Sequence, residues 1–108
     1  MGNGPSGIAF DGSNVWVTNG DDNTVSEVNA TSGISIGTFS VGTGPQCITF
    51  DGANIWVANY TAGTLTKLRA ADGSNLGTFT VGSYPLGVAF DGVNIWVVNI
   101  ASNTVSRR

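Results

Sequence analysis

Short apolar runs alternate with polar, glycine-containing turns along the whole chain, without the 3.6-residue spacing of an amphipathic helix. Four such runs occupy the first repeat of the pattern: GIAF (7–10), NVWVTN (14–19), TVSEV (24–28) and ISIGTFSV (34–41). The segments between them, DGS, GDDN and NATSG, consist of residues that favour tight turns. The pattern therefore predicts an all-β fold of short antiparallel strands joined by tight turns.

The same pattern returns at a spacing of 40 residues without insertion or deletion. FDGSNVWVTN at residues 10–19 recurs as FDGANIWVAN at 50–59 and as FDGVNIWVVN at 90–99. GTFSVG at residues 37–42 recurs as GTFTVG at 77–82. Strand-rich repeats of about 40 residues are typical of β-propeller blades, which are four-stranded antiparallel sheets arranged around an axis.

We therefore expect about 2.7 blades in one propeller fragment. Blade 1 comprises residues 1–42, blade 2 residues 43–82, and blade 3 residues 83–108, without an outermost strand. Propellers typically need about four to eight blades to close, so the expected ring forms by oligomerisation. A homodimer with six blades is the first expectation; three chains with nine blades, or a piece of a longer ring, are the alternatives. Arg107 and Arg108 place charge on the last strand, which opposes further strand pairing.

The second strand of each repeat is apolar on both faces. Val15, Trp16 and Val17 are consecutive apolar residues, and the other two repeats have the same arrangement. Successive strand residues point to opposite faces, so this strand belongs to a sheet that is covered on both sides. We expect the equivalent tryptophans, Trp16, Trp56 and Trp96, to fill the space between blades.

The FDG triplet that ends the first strand predicts a tight hairpin turn. The Asp side chain accepts backbone N–H groups of the turn, and the Gly adopts the positive φ that closes it. A metal-ligand role for the three aspartates is the weaker alternative, because blade symmetry holds equivalent residues far apart.

Composition excludes several partners and chemistries. The net charge is −3 and the chain contains no histidine, so no nucleic-acid partner is expected. No apolar run is long enough for a membrane-spanning helix, and the segment MGNGPSG lacks the features of a signal peptide, so the compartment is unknown. The single cysteine, Cys47, aligns with Gly7 and Gly87 and is expected to be a small buried filler.

Catalysis is not expected. Nucleophilic catalysis needs a base beside the nucleophile, and histidine is the usual one. Asp21 and Asp22 are adjacent in one loop, which favours a solvated turn over an acid–base pair. The sequence therefore predicts no catalytic residue, no metal and no cofactor.

The stretches GPSGIAFDGSNVWVTN, GPQCITFDGANIWVAN and YPLGVAFDGVNIWVVN resemble the repeats of bacterial YVTN-type and NHL-type β-propellers, the group that includes virginiamycin B lyase. Such propellers serve as enzymes, protein-binding platforms and secreted or surface-layer proteins, so the resemblance leaves an extracytoplasmic location open. The lyase branch implies a histidine base with acidic residues and magnesium, and this chain has no histidine to carry that role. The resemblance does imply the blade framework and matches the terminal Asn of the YVTN signature to Asn19, Asn59 and Asn99.

If the chain binds a ligand, its expected place is the rim formed by the loops after the second strands and the connections between blades. This rim carries Asp21, Asp22, Tyr60 and Tyr84, where the repeats differ most. Tyrosines among polar residues suit a glycan or a protein segment. Alternatively, Tyr84 packs on Pro85 and Tyr60 covers the edge of its own blade.

The three asparagines at the ends of the second strands, Asn19, Asn59 and Asn99, are expected to brace the adjoining loops through side-chain to backbone hydrogen bonds. Direct contact with a ligand is their weaker alternative. Two functions therefore remain: a self-assembling structural scaffold and a lectin-like or protein-binding platform. A lyase-type enzyme is the least favoured.

Overall fold

A computed structural model describes residues 2–108. This part of the chain contains eleven strands and no helix. The strands are β1 (Pro5–Phe10), β2 (Asn14–Asn19), β3 (Thr24–Asn29), β4 (Ser35–Ser40), β5 (Pro45–Phe50), β6 (Asn54–Asn59), β7 (Thr64–Arg69), β8 (Asn75–Thr80), β9 (Pro85–Phe90), β10 (Ile95–Asn99) and β11 (Thr104–Arg107). The described residues include no helix that could span a bilayer.

The strands form three antiparallel sheets in chain order, β1–β2–β3–β4, β5–β6–β7–β8 and β9–β10–β11. Each sheet lies within one of the three predicted blade ranges. The first strand was predicted to begin at residue 7, but β1 begins two residues earlier, at Pro5. Beyond an irregularity between Pro5 and Ile8, the backbone pairs with β2 again and joins Pro5 to Asn19. The predicted all-β fold of short antiparallel strands is confirmed.

Two apolar clusters hold the three sheets together. Between blades 1 and 2, Trp16 and Val25 pack against a second group of residues: Ile48, Ile55, Val57 and Leu68. Between blades 2 and 3, Trp56 and Leu65 pack against Ile95 and Val97. Alternate residues of β6 thus face opposite blades, which is why its sequence is apolar at consecutive positions.

Each FDG turn is fastened to the tryptophan of its own blade. Asp11 accepts backbone N–H groups of Ser13 and Asn14 at 2.9 and 2.7 Å through Oδ1, and the Trp16 indole N–H at 2.8 Å through Oδ2. Blades 2 and 3 repeat the indole bond at 2.7 Å in both cases. Gly12 has a φ of 100°, as the hairpin requires. The turn role of Asp was predicted; the indole bond was not.

A phenylalanine from each of the outermost strands β4 and β8 packs at the interface with the next blade. Phe39 lies against Trp16, with ring centroids 5.5 Å apart, and a Cβ placed on Gly73 of blade 2 would overlap its ring. Phe79 lies against Trp56 in the same way, at 5.9 Å. Glycine is therefore required at position 73 because the ring of the preceding blade occupies the space of a side chain.

The position of blade 1 equivalent to Gly73 is uncovered. Nothing lies within 4 Å of a Cβ placed on Gly33. A groove of about 350 Å³ runs beside it, lined by Ile8, Val15, Val17 and Val28. We call this the Gly33 groove; its lining residues are the repeat equivalents of those that Trp16 and Phe39 cover in blade 2.

The outer faces of blades 1 and 3 are open. Ile8 is 70% exposed, whereas its equivalent Ile48 is 9% exposed. On blade 3, Trp96 is 39% and Val105 is 60% exposed, whereas Trp16 in blade 1 is fully buried. The prediction that the tryptophans lie between blades is thus confirmed for Trp16 and Trp56. For Trp96, which lies on the open face of blade 3, it stays a prediction.

Of the two terminal arginines that were expected to charge the edge of the last strand, Arg108 lies elsewhere. The Arg108 guanidinium lies 5.5 Å from the Phe79 ring centroid and donates to the carbonyl oxygen of Thr80. Arg108 takes the place that Leu68 has in the preceding interface and covers blade 2. Charge at the open edge of β11 is therefore left to Arg107, which is exposed.

Candidate functional site

The loops after the second strands meet the connections between blades at one rim. The N–H of Gly20 donates to the carbonyl of Gly4 at 2.8 Å, and the N–H of Tyr60 donates to Gly44 at 2.8 Å. In blade 3, the N–H of Ile100 donates to Tyr84 at 3.1 Å. The three bonds are repeat equivalents, so the same rim forms in every blade.

Tyr60 and Tyr84 lie together on this rim. Their rings are stacked, with centroids 4.8 Å apart and an interplanar angle of 25°. Tyr84 is 46% exposed and Tyr60 is half-buried. At the junction of blades 1 and 2 the equivalent residues are Gly20 and Gly44, so the stacked pair marks only the junction of blades 2 and 3.

Tyr84 has an unfavourable backbone conformation. Its φ is 54°, in the left-handed region, and the equivalent residues Gly4 and Gly44 have φ values of 68° and 69°. A residue with a bulky side chain in this region costs about 1 kcal/mol or more relative to glycine. Strain at an exposed aromatic residue is typical of binding sites.

A shallow depression of about 490 Å³ adjoins Tyr84. Its lining includes the hydroxyl groups of Thr61, Ser83 and Ser102. Ser102 Oγ accepts the Ser83 N–H at 3.2 Å and lies 2.9 Å from Thr104 Oγ1. The depression thus combines one aromatic ring with fixed hydroxyl groups, the usual means of holding a polar ligand.

Asp21 and Asp22 are exposed and interact with the start of the chain, not with the tyrosines. Asp22 accepts the backbone N–H of Asn3 at 2.8 Å and its side-chain amide at 3.3 Å. Asp21 lies beside Gly4, where an added Cβ would be 2.8 Å from its Cγ. The two predicted aspartates therefore belong to the rim of blade 1.

The asparagines that end the second strands are fully buried. Asn19 Nδ2 donates to the hydroxyls of Thr24 and Ser26 at 3.2 and 2.9 Å, and Asn59 and Asn99 repeat both bonds. The predicted partner, the loop backbone, is found for Asn99, whose Oδ1 accepts the Gly82 N–H at 3.0 Å. For the amide nitrogens that prediction is wrong, because the hydroxyls of alternate β3 residues lie on the same side and within reach. Burial favours bracing over ligand contact.

A further depression, about 560 Å³, lies at the opposite rim and was not predicted. It lies between the FDG turn of blade 1 and the loop after β7, and Asp11, Phe50 and Arg69 contribute to its lining. Both charged groups already have partners, since Asp11 binds the Trp16 indole and Arg69 lies 3.6 Å from Asp72. The residues that line this depression occupy ordinary positions of the repeat, so the sequence contains no signal that would predict it.

Most carboxylates of the chain are engaged by neighbouring groups. Although burial opposes it, hydrogen bonds from the Trp16 indole and from turn N–H groups hold the pKa of Asp11 below its ordinary value. The Trp56 indole and turn N–H groups, again against the effect of burial, hold the pKa of Asp51 below its ordinary value. Burial raises the pKa of Glu27, although an amide hydrogen bond from Asn14 at 2.9 Å opposes the shift. Within residues 2–108, no group of three His, Cys, Asp or Glu residues could hold a metal ion.

Cys47 lies in the interface between blades 2 and 3, where it packs against the second apolar cluster. Its Sγ contacts the carbonyl oxygen of Leu86, and the thiol is half-buried. Burial raises the pKa of this thiol, which lowers its reactivity. Its packing agrees with the expected role of a small filler, but the side chain is half-buried and not buried as predicted.

Three solved structures to which the chain is similar are named as enzymes. The chain superimposes on virginiamycin B lyase from Staphylococcus aureus with a TM-score of 0.83, covering 97% of this chain and 38% of that one. It superimposes on a streptogramin B lyase with a TM-score of 0.69, covering 98% and 40%, and on Kuenenia stuttgartiensis hydrazine synthase with 0.76, covering 96% and 35%. Sequence identity is 22% in all three.

These similarities confirm the predicted β-propeller fold class. The chain spans about two fifths or less of the length of each of these structures. No protein-family model and no curated protein sequence matches it. Identity at this level relates the folds and leaves the activities to be argued from the residues.

Proposed function

We propose that the chain is a non-catalytic β-propeller module that pairs with a second copy to close a ring of six blades and serves as a structural or binding scaffold. One observation carries the proposal: the open faces of blades 1 and 3 are the repeat equivalents of faces that the chain itself covers. Ile8 matches the covered Ile48, and Trp96 matches the buried Trp16.

The internal interfaces indicate what fits each open face. In the interface between blades 1 and 2, Trp16 packs on Ile48 and Ile55. If Trp96 of one copy packs on Ile8 and its neighbours in a second copy, the same interface is repeated. Two copies then form two such interfaces around a two-fold axis, which leaves no open blade face.

Exposed apolar area supports association. Soluble monomers rarely expose a contiguous apolar patch above about 600 Å². On blade 3, Trp96, Val98 and Val105 are each exposed by more than a third, and blade 1 exposes Ile8 and Phe10. Covering both faces removes these side chains from water at a gain of about 25 cal/mol per Å².

Light scattering after size exclusion tests the ring. We expect twice the chain mass of 11.0 kDa for the wild type. Ile8→Glu places a charge on a face that the second copy must cover, so this variant should be monomeric. Val93→Glu is the matched control, since Val93 is 82% exposed at a turn outside both faces, and it should remain dimeric. A well-folded wild-type monomer at micromolar concentration, or a trimer, would overturn the six-blade ring.

The non-catalytic part of the proposal rests on how the ionisable groups are used. The chain has no histidine. Asp11, Asp51 and Asp91 each bind the indole of their own blade, and Asp22 binds Asn3. A streptogramin B substrate with magnesium is the matching assay, and we expect no turnover. Turnover that Asp21→Asn abolishes would contradict the proposal.

The second candidate function is a binding platform for a glycan or a protein segment at the stacked tyrosines. The strained φ of Tyr84, beside a depression with hydroxyl groups, favours it. Glycan and peptide arrays test it with Tyr84→Gly, which restores the residue of blades 1 and 2 and keeps the fold. We expect array binding by the wild type and none by the variant. Equal binding by both proteins would contradict the assignment to Tyr84.

A further inference from the structure

We infer that the depression beside Tyr84 binds a neutral saccharide with equatorial hydroxyl groups, with the tyrosine ring against the C–H face of one sugar ring. This inference rests on the second candidate function and deepens it, because it names the ligand class of the same site. Every residue that lines the depression lies between β6 and β11, at the junction of blades 2 and 3. The site therefore involves neither open blade face and neither end of the chain.

The depression is lined by uncharged residues. Besides Tyr84, the described residues of its lining are hydroxyl-bearing or small and apolar, and none of them is Asp, Glu, Lys or Arg. The Arg108 guanidinium contacts the Thr80 carbonyl oxygen and the Phe79 ring and does not belong to the lining. A charged ligand would lose hydration here without meeting an opposite charge. The lining therefore selects an uncharged ligand.

The depression lies where an asparagine side chain is found at the junction of blades 1 and 2. There, Asn23 Oδ1 accepts the N–H of Gly44 at 2.9 Å. The equivalent residues at the junction of blades 2 and 3 are Gly63 and Tyr84, and both line the depression. Gly63 has no side chain, so within the described part of the chain the Tyr84 N–H has no such acceptor. An unused backbone donor thus lies beside the ring of the same residue.

Ser102 supplies a second donor. Its Oγ accepts the Ser83 N–H at 3.2 Å and lies 2.9 Å from Thr104 Oγ1, which itself accepts an amide hydrogen of Asn99 at 3.3 Å. Because the Thr104 oxygen already accepts a hydrogen, its own O–H group is free to donate to Ser102. The Ser102 proton is then left for an acceptor in the depression, and a sugar hydroxyl or ring oxygen is such an acceptor.

The Tyr84 ring is held in position before a ligand arrives. Tyr60 stacks on it with centroids 4.8 Å apart, and Tyr60 is not among the residues that line the depression. A ring that is already packed loses little conformational freedom on binding. Tyr60 therefore positions the ring, and Tyr84 contacts the sugar.

The backbone of this rim favours a saccharide over a protein segment. An extended peptide is usually bound through a row of main-chain hydrogen bonds along a strand. Beside Tyr84, the N–H groups of Gly82 and Ser83 already donate to Asn99 and Ser102, so such a row is not offered. A saccharide does not need one, because each of its rings has several hydroxyl groups that donate and accept. Axial hydroxyl groups would lose hydration against the tyrosine ring, whereas a ring with equatorial ones presents C–H groups to it.

The probe is cellotetraose, a neutral tetrasaccharide of β-linked glucose with equatorial ring hydroxyls. It is titrated into the isotope-labelled full chain, and the amide chemical shifts are followed by NMR. We expect saturable shifts at residues 61–63, 80–84 and 102 with a Kd of about 1 mM, weak because a shallow depression leaves much of the ligand in water. The matching tetrasaccharide of glucuronic acid should bind about fivefold more weakly or worse, because its carboxylates meet no cation. Equal binding of the two, or no shifts at these residues with cellotetraose, would overturn the inference.

Three variants assign the contacts. Tyr84→Gly restores the glycine of blades 1 and 2 and removes the ring, so it should keep the fold and bind about tenfold more weakly or worse. Ser102→Ala introduces the alanine of blade 2 and removes the hydroxyl, with an expected loss of about fivefold. Ser13→Ala is the matched control, since it also introduces the alanine of blade 2 but lies at the opposite rim, and it should bind like the wild type. Unchanged affinity of Tyr84→Gly or Ser102→Ala would contradict the assigned contact.

The glycan and peptide arrays distinguish failure of this inference from failure of the binding platform. Tyr84-dependent binding of a peptide or of a charged glycan, without binding of cellotetraose, would leave the platform intact and defeat the neutral saccharide. If neither cellotetraose nor any array ligand binds in a Tyr84-dependent manner, both proposals fail. Tyr84-dependent binding of cellotetraose supports both.

Discussion

Replacing Trp56 by alanine tests the inter-blade packing most directly. Its ring is 7% exposed, its centroid is 5.9 Å from that of Phe79, and the Lys67 ammonium lies 5.0 Å from it. Its indole N–H donates to Asp51 at 2.7 Å. The substitution therefore removes apolar contacts on blade 3, a cation–π contact and a hydrogen bond together.

The expected loss of unfolding free energy is about 3–5 kcal/mol. An upper value of about 5 kcal/mol follows from burial of about 200 Å² of indole at about 25 cal/mol per Å². Because small domains have net stabilities of about 5–15 kcal/mol, this loss brings the chain close to unfolding. Trp56→Phe keeps most of the apolar volume and should cost less, about 1–2 kcal/mol for the lost bond to Asp51.

Urea unfolding followed by circular dichroism measures these differences. The measurements use the Ile8→Glu background, which we expect to be monomeric, so that dissociation of the proposed dimer does not contribute to the unfolding free energy. In that background Trp96→Ala should cost less than Trp56→Ala, since Trp96 is 39% exposed. Wild-type-like unfolding of Trp56→Ala, or equal costs at the two positions, would refute the packing argument.

Three further outcomes are expected. Burial raises the pKa of Glu27, so its ionisation costs stability as pH rises through that pKa; Glu27→Gln should be more stable than the wild type at pH 7 and similar at pH 3, and a lower urea midpoint at pH 7 would contradict this. The lowered pKa of Asp51 contributes stability above about pH 4 that is lost in more acidic solution, so Asp51→Asn should flatten the acid limb of the stability curve, and an unchanged limb would argue against it. Cys47 is half-buried with a raised pKa and should react with a disulfide reagent far more slowly in the folded chain than in urea; equal rates would place the thiol outside the interface.

The blade architecture was predictable because it depends on local pattern. Consecutive apolar residues around Trp56 indicate two covered faces, and Asp-Gly pairs indicate hairpin turns. Repetition at 40 residues then fixes the order of the sheets. The first two signals lie within one strand or one turn, and the third needs only comparison of the chain with itself.

Contacts between repeats were beyond the reach of the sequence. Phe39 meets Gly73 across a blade interface, and no local pattern links residues so distant in the chain. The rim position of Tyr60 and Tyr84 was predicted from topology, whereas their mutual stacking depends on the inter-blade angle. The partners of Asn19 were missed because they depend on which side of β3 carries hydroxyl groups.

The ring of Phe39 above Gly73 gives every blade a direction. One face projects aromatic rings and the other has the recess that receives them, so blades can be joined in one order only. Repeats can therefore be added or removed in whole units of 40 residues without changing either terminal surface. Doubling residues 43–82 should produce a chain with the same two ends and a larger assembly. In the proposed ring, the number of blades would then be set by the number of repeats in each chain and the number of copies, while the contact between neighbouring blades stays constant.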